Sequence, residues 1–270
     1  MTRTDIIRLL ESLNLRGNHV VVHASLAGFG PVDGGARGVC EALVEVVGDG
    51  GTVVMPAFTY AETLNATLGG LGRVRPVAFH PELPVSREVG EIAESFRHLP
   101  GVLRSSHPTH SFAAWGRQAR EVLSTQRDNN PLGPLKKLNV VQGQVLLLGE
   151  ALPAVAAIYL AEERASLPYL GRCTAVRVNA AGYDERVVLE NVPGCSAAFV
   201  KLEDRIDPSK VRSAPMPYGS ARKIPIRYLV NLATEMLDAD PRVFICDDTG
   251  CASCGAKRDA VGGASTSAVG

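Results

Sequence analysis

No excess of either charge marks this sequence: 28 Lys and Arg balance 28 Asp and Glu across 270 residues. A chain without a global field has no means of concentrating DNA, RNA or an anionic membrane around itself, so small-molecule chemistry is the expectation. Long apolar runs are missing too. The longest, Ala151 to Ala161, is broken by Pro153 and falls short of the roughly 20 residues that cross a bilayer. Met1 to Leu10 carries Arg3, Asp5 and Arg8, which denies it the continuous apolar core of a signal peptide. A cytoplasmic protein is expected. No internal repeat is visible.

What the chain does have is 46% apolar content and a length near the upper size at which one α/β domain stays undivided. A single domain over residues 1–255 is expected. Beyond Cys254 the composition turns to Gly, Ala and Ser, which cannot offset ordering entropy by burial, so 256–270 reads as a disordered tail. Six cysteines would form disulfides in a small secreted chain, but in a reducing compartment they are free thiols or metal ligands. Cys40 and Cys173, among apolar neighbours, read as small buried hydrophobes.

Thr4 reads as the N-cap of a helix with Ile6, Leu9, Leu10 and Leu13 on its apolar face. A strand at His19 to Ala24, a glycine loop, a helix with Ala36, Val39, Leu43 and Val47 inward, and a strand at Thr52 to Ala57 make a parallel crossover unit. Tyr60 to Arg87, rich in Gly and Pro, reads as a long irregular excursion of the kind that covers sites. Helices are expected at Ser86 to Arg97, Ala154 to Ala165, Ala197 to Arg205 and Ile226 to Leu237. Strands are expected at Ser111 to Gly116, Gln144 to Leu148, Thr174 to Asn179 and Arg186 to Asn191.

Three stretches carry chemistry. The first runs from His23 to Gly38, where Gly28, Gly30, Gly34 and Gly35 open a helix; free N–H groups and the helix dipole there suit a phosphate, although such glycines also serve plain steric turns. The second, Arg104 to Gly116, crowds His107, His110, serines and an arginine before an apolar strand, which favours a cleft over a plain turn. The third holds Cys246, Cys251 and Cys254 at four- and two-residue gaps. Thiolates so spaced bend onto one tetrahedral Zn²⁺, and Cys195, in an equally turn-like setting, supplies a fourth. Four ligands make a closed structural site; three leave a position open for water or substrate. Zinc is favoured over exposed thiols, which would be an oxidation liability.

His23-Ala24-Ser25-Leu26, Gly34-Gly35-Ala36, Gly51 to Thr59, Arg104-Ser105 with His107-Pro108 and Ser111, and Val145 to Gly149 resemble, in this order, successive landmarks of the aminoglycoside 3-N-acetyltransferases. Gly194-Cys195-Ser196 resembles an element of relatives that end in a Cys-x-x-Cys tail. The resemblance spans most of residues 1–255 and implies a three-layer α/β/α fold with a mainly parallel central sheet. It also implies direct transfer of an acyl group from acetyl-CoA or another acyl-CoA to the amine of a small molecule, with His23, Ser25, Gly34, Gly35, Ala36 and Ser105 on the cofactor side. A homodimer is left open.

The family's base is a histidine in a helix after the Leu-Leu-Gly strand, within a pattern like Thr-x-Leu-His-x-Ala-Glu. Here Ala156 to Glu162 puts Tyr159 at the histidine and Ala156 at the threonine. A phenol of pKa about 10 is a poor acceptor for an ammonium proton but a serviceable donor. Three roles stay open for Tyr159: a donor to the oxyanion with His107 or His110 as base, a member of a site whose acceptor needs little deprotonation, or an aromatic packed on a helix. Glu162 either orients a base or faces water. Tyr60 to Arg87 carries Glu62 and Glu82 against Arg73, Arg75 and Arg87, so a neutral or anionic acceptor is expected, in biosynthesis or detoxification. The rival readings are a zinc-binding relative that has lost acyl transfer, and the same fold turned to different chemistry.

Overall fold

The chain's most apolar runs become three adjacent parallel strands. In this computed structural model residues 1–60, 77–165 and 169–266 are described. Seven strands form one sheet: β1 (His19–Ala24), β2 (Thr52–Pro56), β3 (Leu103–Arg104), β4 (Phe112–Gly116) and β5 (Gln144–Leu148), with β8 (Arg212–Met216) and β9 (Gly219–Pro225). β6 (Gly171–Val178) and β7 (Asp184–Val192) pair as a separate hairpin. The large sheet has the order β3-β4-β2-β1-β5-β9-β8. β1 lies between β2 and β5 and parallel to both, with Val21 beside Val54 on one side and Val145 on the other.

The sheet is mixed rather than mainly parallel, because β4 runs antiparallel to β2 and β9 to β5. Only Pro217 and Tyr218 separate β8 from β9, and so short a link permits only an antiparallel pair. These two strands carry Arg212, Arg222 and Lys223 and have no apolar run for a sequence reading to find. Helices cover both faces. Val20 and Val22 pack with α1 (Arg3–Ser12), α3 (Gly35–Val47) and α4 (Glu91–Arg97). Val21 and Leu147 pack with α5 (Ala119–Leu123), α6 (Gly133–Val140) and α8 (Ile226–Ala239). The result is the three-layer α/β/α arrangement.

Local corrections have local causes. The N-cap of α1 is Thr2, not Thr4: its hydroxyl accepts the Asp5 N–H at 3.2 Å and the Asp5 carboxylate accepts the Thr2 N–H at 3.0 Å, a reciprocal box. Gly90, at φ 96°, splits the expected helix at 86–97 into a short turn and α4. Ala154 to Ala165 is not one helix: 3₁₀ turns at Leu152–Ala154 and Ala156–Ile158 precede α7 (Tyr159–Arg164). Most of the excursion at 60–87, residues 61–76, lies outside the described residues. No described helix is long and apolar enough to cross a membrane.

Residues 256–266 of the stretch expected as a disordered tail lie instead in α9 (Ala252–Thr266). Composition misses its anchor, since Lys257 is only 1% exposed and pairs with the Glu162 carboxylate, itself 1% exposed. Glu162 Oε2 has no partner among the described residues, so Lys257 is the group there that compensates this buried charge. Lys257→Ala is therefore expected to destabilise the fold by about 3–5 kcal/mol in urea unfolding, whereas a paired Glu162→Gln, Lys257→Met variant loses less. Equal losses in the two variants would overturn this role.

Candidate active site

At the carboxyl ends of β1, β2 and β5 the sheet opens into a cavity of ≈ 440 Å³. His23 and Ala24 come from the end of β1, Met55 and Pro56 from the end of β2, and Glu150 from just beyond β5. Close backbone approach shapes this rim: a Cβ on Gly28 would stand 2.7 Å from the Gly149 Cα, so only glycine lets the turn after β1 lie against the end of β5. His110 enters from the segment before β4, which pairs past the end of β2 through Ala57 N–H to Ser111 O at 2.8 Å and Thr59 N–H to Thr109 O at 2.9 Å. Glu88, Ile92 and Ala93 close one side, and Tyr159, Gly194 and Ser196 the other.

Burial governs the electrostatics. It holds the imidazoles of His23 and His110 near pKa 3, so both are neutral at pH 7. It raises the Glu150 carboxyl above its ordinary value. It raises the Tyr159 phenol as well, with Glu162 adding to the effect. The Tyr159 hydroxyl donates to the Gly194 carbonyl and its ring stacks edge-on against Phe199, centroids 5.0 Å apart. Tyr159 thus stands in the cavity wall as expected, but with its proton committed to the main chain. His110 Nδ1 lies 2.8 Å from Thr109 Oγ1, which lies 3.4 Å from His107 Nδ1.

Other expected site residues lie elsewhere. His107 is 3% exposed and lines a second cleft, with Ser105 and Arg120. Its Nδ1 accepts backbone N–H bonds from His110 at 3.1 Å and Thr109 at 3.4 Å, so it ties a turn rather than joining Tyr159. The Ser105 hydroxyl accepts the Phe112 N–H at 2.8 Å, securing the β3-β4 pairing. Glu162 does not line the cavity; it faces α9 through Lys257. Ser25 precedes a short helix, α2 (Leu26–Phe29), and donates its N–H to Leu148 O at 2.9 Å. Gly34, Gly35 and Ala36 are also apart from the cavity, at the start of α3, with φ of 79° and 57° at the two glycines. Sequence reading missed Glu88 and Glu150, which belong to no motif and meet only through the fold.

The cysteines expected to gather do so. The Sγ atoms of Cys195, Cys246, Cys251 and Cys254 all lie within 4.8 Å of one another. The Cys195 N–H donates to Ser253 Oγ at 3.0 Å, fastening the Pro193 to Ser196 strip to the start of α9.

A cavity at the carboxyl ends of parallel strands, holding neutral imidazoles among carboxylates, belongs to the α/β enzymes that handle small molecules. The family model of aminoglycoside 3-N-acetyltransferases matches residues 21–238, and the chain belongs to that family. It is similar to aminoglycoside N(3)-acetyltransferase IV of Salmonella sp, 32% identical over 256 residues and covering 90% of each chain. Against other curated relatives the match spans 62% to 66% of their length. Among solved structures, a histidine-to-alanine mutant of aminoglycoside acetyltransferase AAC(3)-IVa in complex with a gentamicin superposes with a TM-score of 0.78 at 30% identity, covering 96% of this chain and 97% of that one. The AAC-IIIb binary complex with CoASH gives 0.76 at 25% identity, with 88% and 97% covered.

The buried imidazoles also set acid stability. His23, His107 and His110 have folded pKa values of about 3, 4 and 3, all below the ordinary 6.5. The unfolded chain therefore takes up protons below pH 6.5 that the folded chain refuses. Stability is present above that pH and lost as pH falls from 6.5 towards 4, by up to about 1.4 kcal/mol per pH unit for each histidine. The urea midpoint is expected to be lower at pH 5 than at pH 7, with a shallower slope in His23→Gln. A flat profile over that range would contradict the neutral burial of these rings.

Proposed function

We propose that the chain is an N-acetyltransferase that moves an acetyl or related acyl group from coenzyme A to an amine of a small, positively charged acceptor. The lining of the cavity carries this reading: among the described residues its charged members are Glu88 and Glu150, with no Lys or Arg beside them. Carboxylates in a partly apolar cavity favour an ammonium over an anion, so the neutral or anionic acceptor expected from residues 60–87 gives way to a cationic one. The names of the relatives and the gentamicin-bound mutant support an aminoglycoside as the substrate class.

The amine nitrogen attacks the thioester carbonyl, the new C–N bond forms as the C–S bond breaks, and sulfur leaves as the CoA thiol. A proton must come off the nitrogen, and Tyr159, with its raised phenol pKa, is unsuited to accept it. His110, the neutral imidazole in the cavity, is assigned that role as a relay: it takes the proton as the C–N bond forms and passes it to the departing thiolate, because a ring with a pKa near 3 does not keep it at pH 7. If its Nδ1–H donates to Thr109 Oγ1, 2.8 Å away, Nε2 of His110 keeps its lone pair. The CoA pyrophosphate is assigned to the start of α3, where nothing lies within 4 Å of a Cβ built on Gly35. Coenzyme A and free thiols suit a reducing, cytoplasmic setting.

A thiol-release assay over a panel of amines, with calorimetry of CoA, tests these assignments together. His110→Gln is expected to lower turnover by about 10²- to 10⁴-fold and to leave CoA affinity within about twofold. Gly35→Asp, strained at φ 57° and therefore checked for folding by a thermal melt, is expected to weaken CoA about tenfold or more. Full turnover in the first variant removes His110 as base. Unchanged affinity in the second removes α3 as the phosphate site.

We propose in addition that Cys195, Cys246, Cys251 and Cys254 hold one Zn²⁺. Zn–S bonds of about 2.3 Å in a tetrahedron separate sulfurs by roughly 3.8 Å, a spacing this cluster accommodates. Four thiolates leave no open position, so the ion is structural. Elemental analysis is expected to give one equivalent, lost in the Cys251→Ser, Cys254→Ser double variant, with a lower Tm after chelation. A content below about a tenth of an equivalent in carefully purified protein would refute it.

A further inference from the structure

A chain with zero net charge can still gather one sign of charge locally. Across the His107 to His110 segment from the acceptor cavity lies a second cleft of ≈ 550 Å³, and its lining includes Arg104, Arg120, Arg127 and Arg177 against the carboxylate of Asp128. Arg177 takes up Asp128 at 2.8 Å and Glu185 at 3.2 Å. Among the described residues the other three guanidiniums have no carboxylate in contact. Arg104 spends its donors on Ser111 and on the carbonyls of Pro81, Leu83 and Ala57. Arg127 donates to the carbonyls of Ser124 and Gln126. The Arg120 guanidinium forms no hydrogen bond or ion pair among the described residues, and Ser106, exposed, stands at the rim.

His107 fixes the sign of the ligand. Its Nδ1 accepts main-chain N–H groups from Thr109 and His110, so the lone pair is on that nitrogen and the ring proton is on Nε2. Burial keeps the ring neutral, its pKa at about 4. Nε2 is buried and has no partner among the described residues, a donor left without an acceptor. Guanidiniums, a serine hydroxyl and an imidazole N–H are all donors here, while the single carboxylate is already paired.

We propose that this cleft is a second subsite, separate from the acceptor cavity and from the start of α3, that takes a phosphate group, with Arg120, Arg127, Ser106 and His107 Nε2–H as its donors. Phosphate suits the set because it is a dianion with several acceptor oxygens, and guanidinium forks match its geometry. The inference does not rest on the acyl-transfer reading, and binding is measured with no acyl donor present. The phosphate comes either as a free anion or as a phosphate of coenzyme A itself.

Calorimetric titration of inorganic phosphate into the whole protein, with the His107 Nε2–H followed by ¹⁵N NMR, tests it. Saturable binding is expected, weakening as salt rises, with a shift of the His107 signal. Arg120→Glu and Arg127→Glu are each expected to weaken it about tenfold or more. Arg120 is exposed, so its variant keeps the fold, and thermal melts of both variants verify this. Competition identifies the source. Phosphate that competes with CoA but not with dephospho-CoA assigns the cleft to the cofactor's 3′-phosphate, and phosphate that competes with neither assigns it to a free anion. Absence of saturable binding, affinity indifferent to both arginine variants, or an unmoved His107 signal would overturn the proposal.

Discussion

The strip from Pro193 to Ser196 is the constraint on which the rest of the site depends. Pro193, Gly194 and Ser196 line the cavity at the ends of β1, β2 and β5, while Cys195 between them turns its sulfur into the thiol cluster. The Tyr159 hydroxyl holds the Gly194 carbonyl from one side, and Ser253 holds the Cys195 N–H from the other. Lys257, on the same helix as Ser253, reaches back to Glu162 on the same helix as Tyr159. The wall of the cavity and the C-terminal helix therefore form one mechanical unit. Zinc, proposed for the cluster, would lock that unit from the side opposite the substrate. A structural ion here shapes the cavity without touching what it holds.

The fold was legible where apolar pattern and burial coincide. β1 and β5 lie where the Val and Leu runs predict them because strands buried on both faces carry continuous apolar runs, Val20 to Val22 in one and Val145 to Leu148 in the other. β8 and β9 escape such a reading, since they alternate charged and small residues at the sheet's edge. The C-terminal helix escapes it for a different reason. Its anchor is one lysine whose partner lies 95 residues earlier, and no composition window registers a contact of that range.

The site was legible in its residue types more than in its grouping. Cys246, Cys251 and Cys254 gathered as their spacing demands, since a short turn constrains sulfur positions directly, whereas Cys195, far upstream, joins them only through the fold. The two histidines of the 107–110 segment did not share a face: His110 points to the acceptor cavity and His107 to the arginine cleft, with Thr109 between their Nδ1 atoms. Sequence proximity cannot make that distinction, because a tight turn sends neighbouring side chains to opposite sides. Tyr159 did reach the wall of the cavity, yet its role follows from a carbonyl 35 residues away.

Zero net charge, which argued against nucleic acid and membrane surfaces, conceals two opposed local fields. Among the described residues the cavity gathers carboxylates without a lysine or arginine, and the cleft gathers arginines around one carboxylate that is already paired. The 107–110 segment runs between them and serves both proposed roles only with its imidazoles neutral. A proton on His110 would repel an ammonium and remove the lone pair a base requires. A proton on His107 Nδ1 would displace the two main-chain N–H groups that fix the turn. The burial that costs the fold its acid stability is thus the same burial that lets one short segment face an acidic cavity with an acceptor and a basic cleft with a donor.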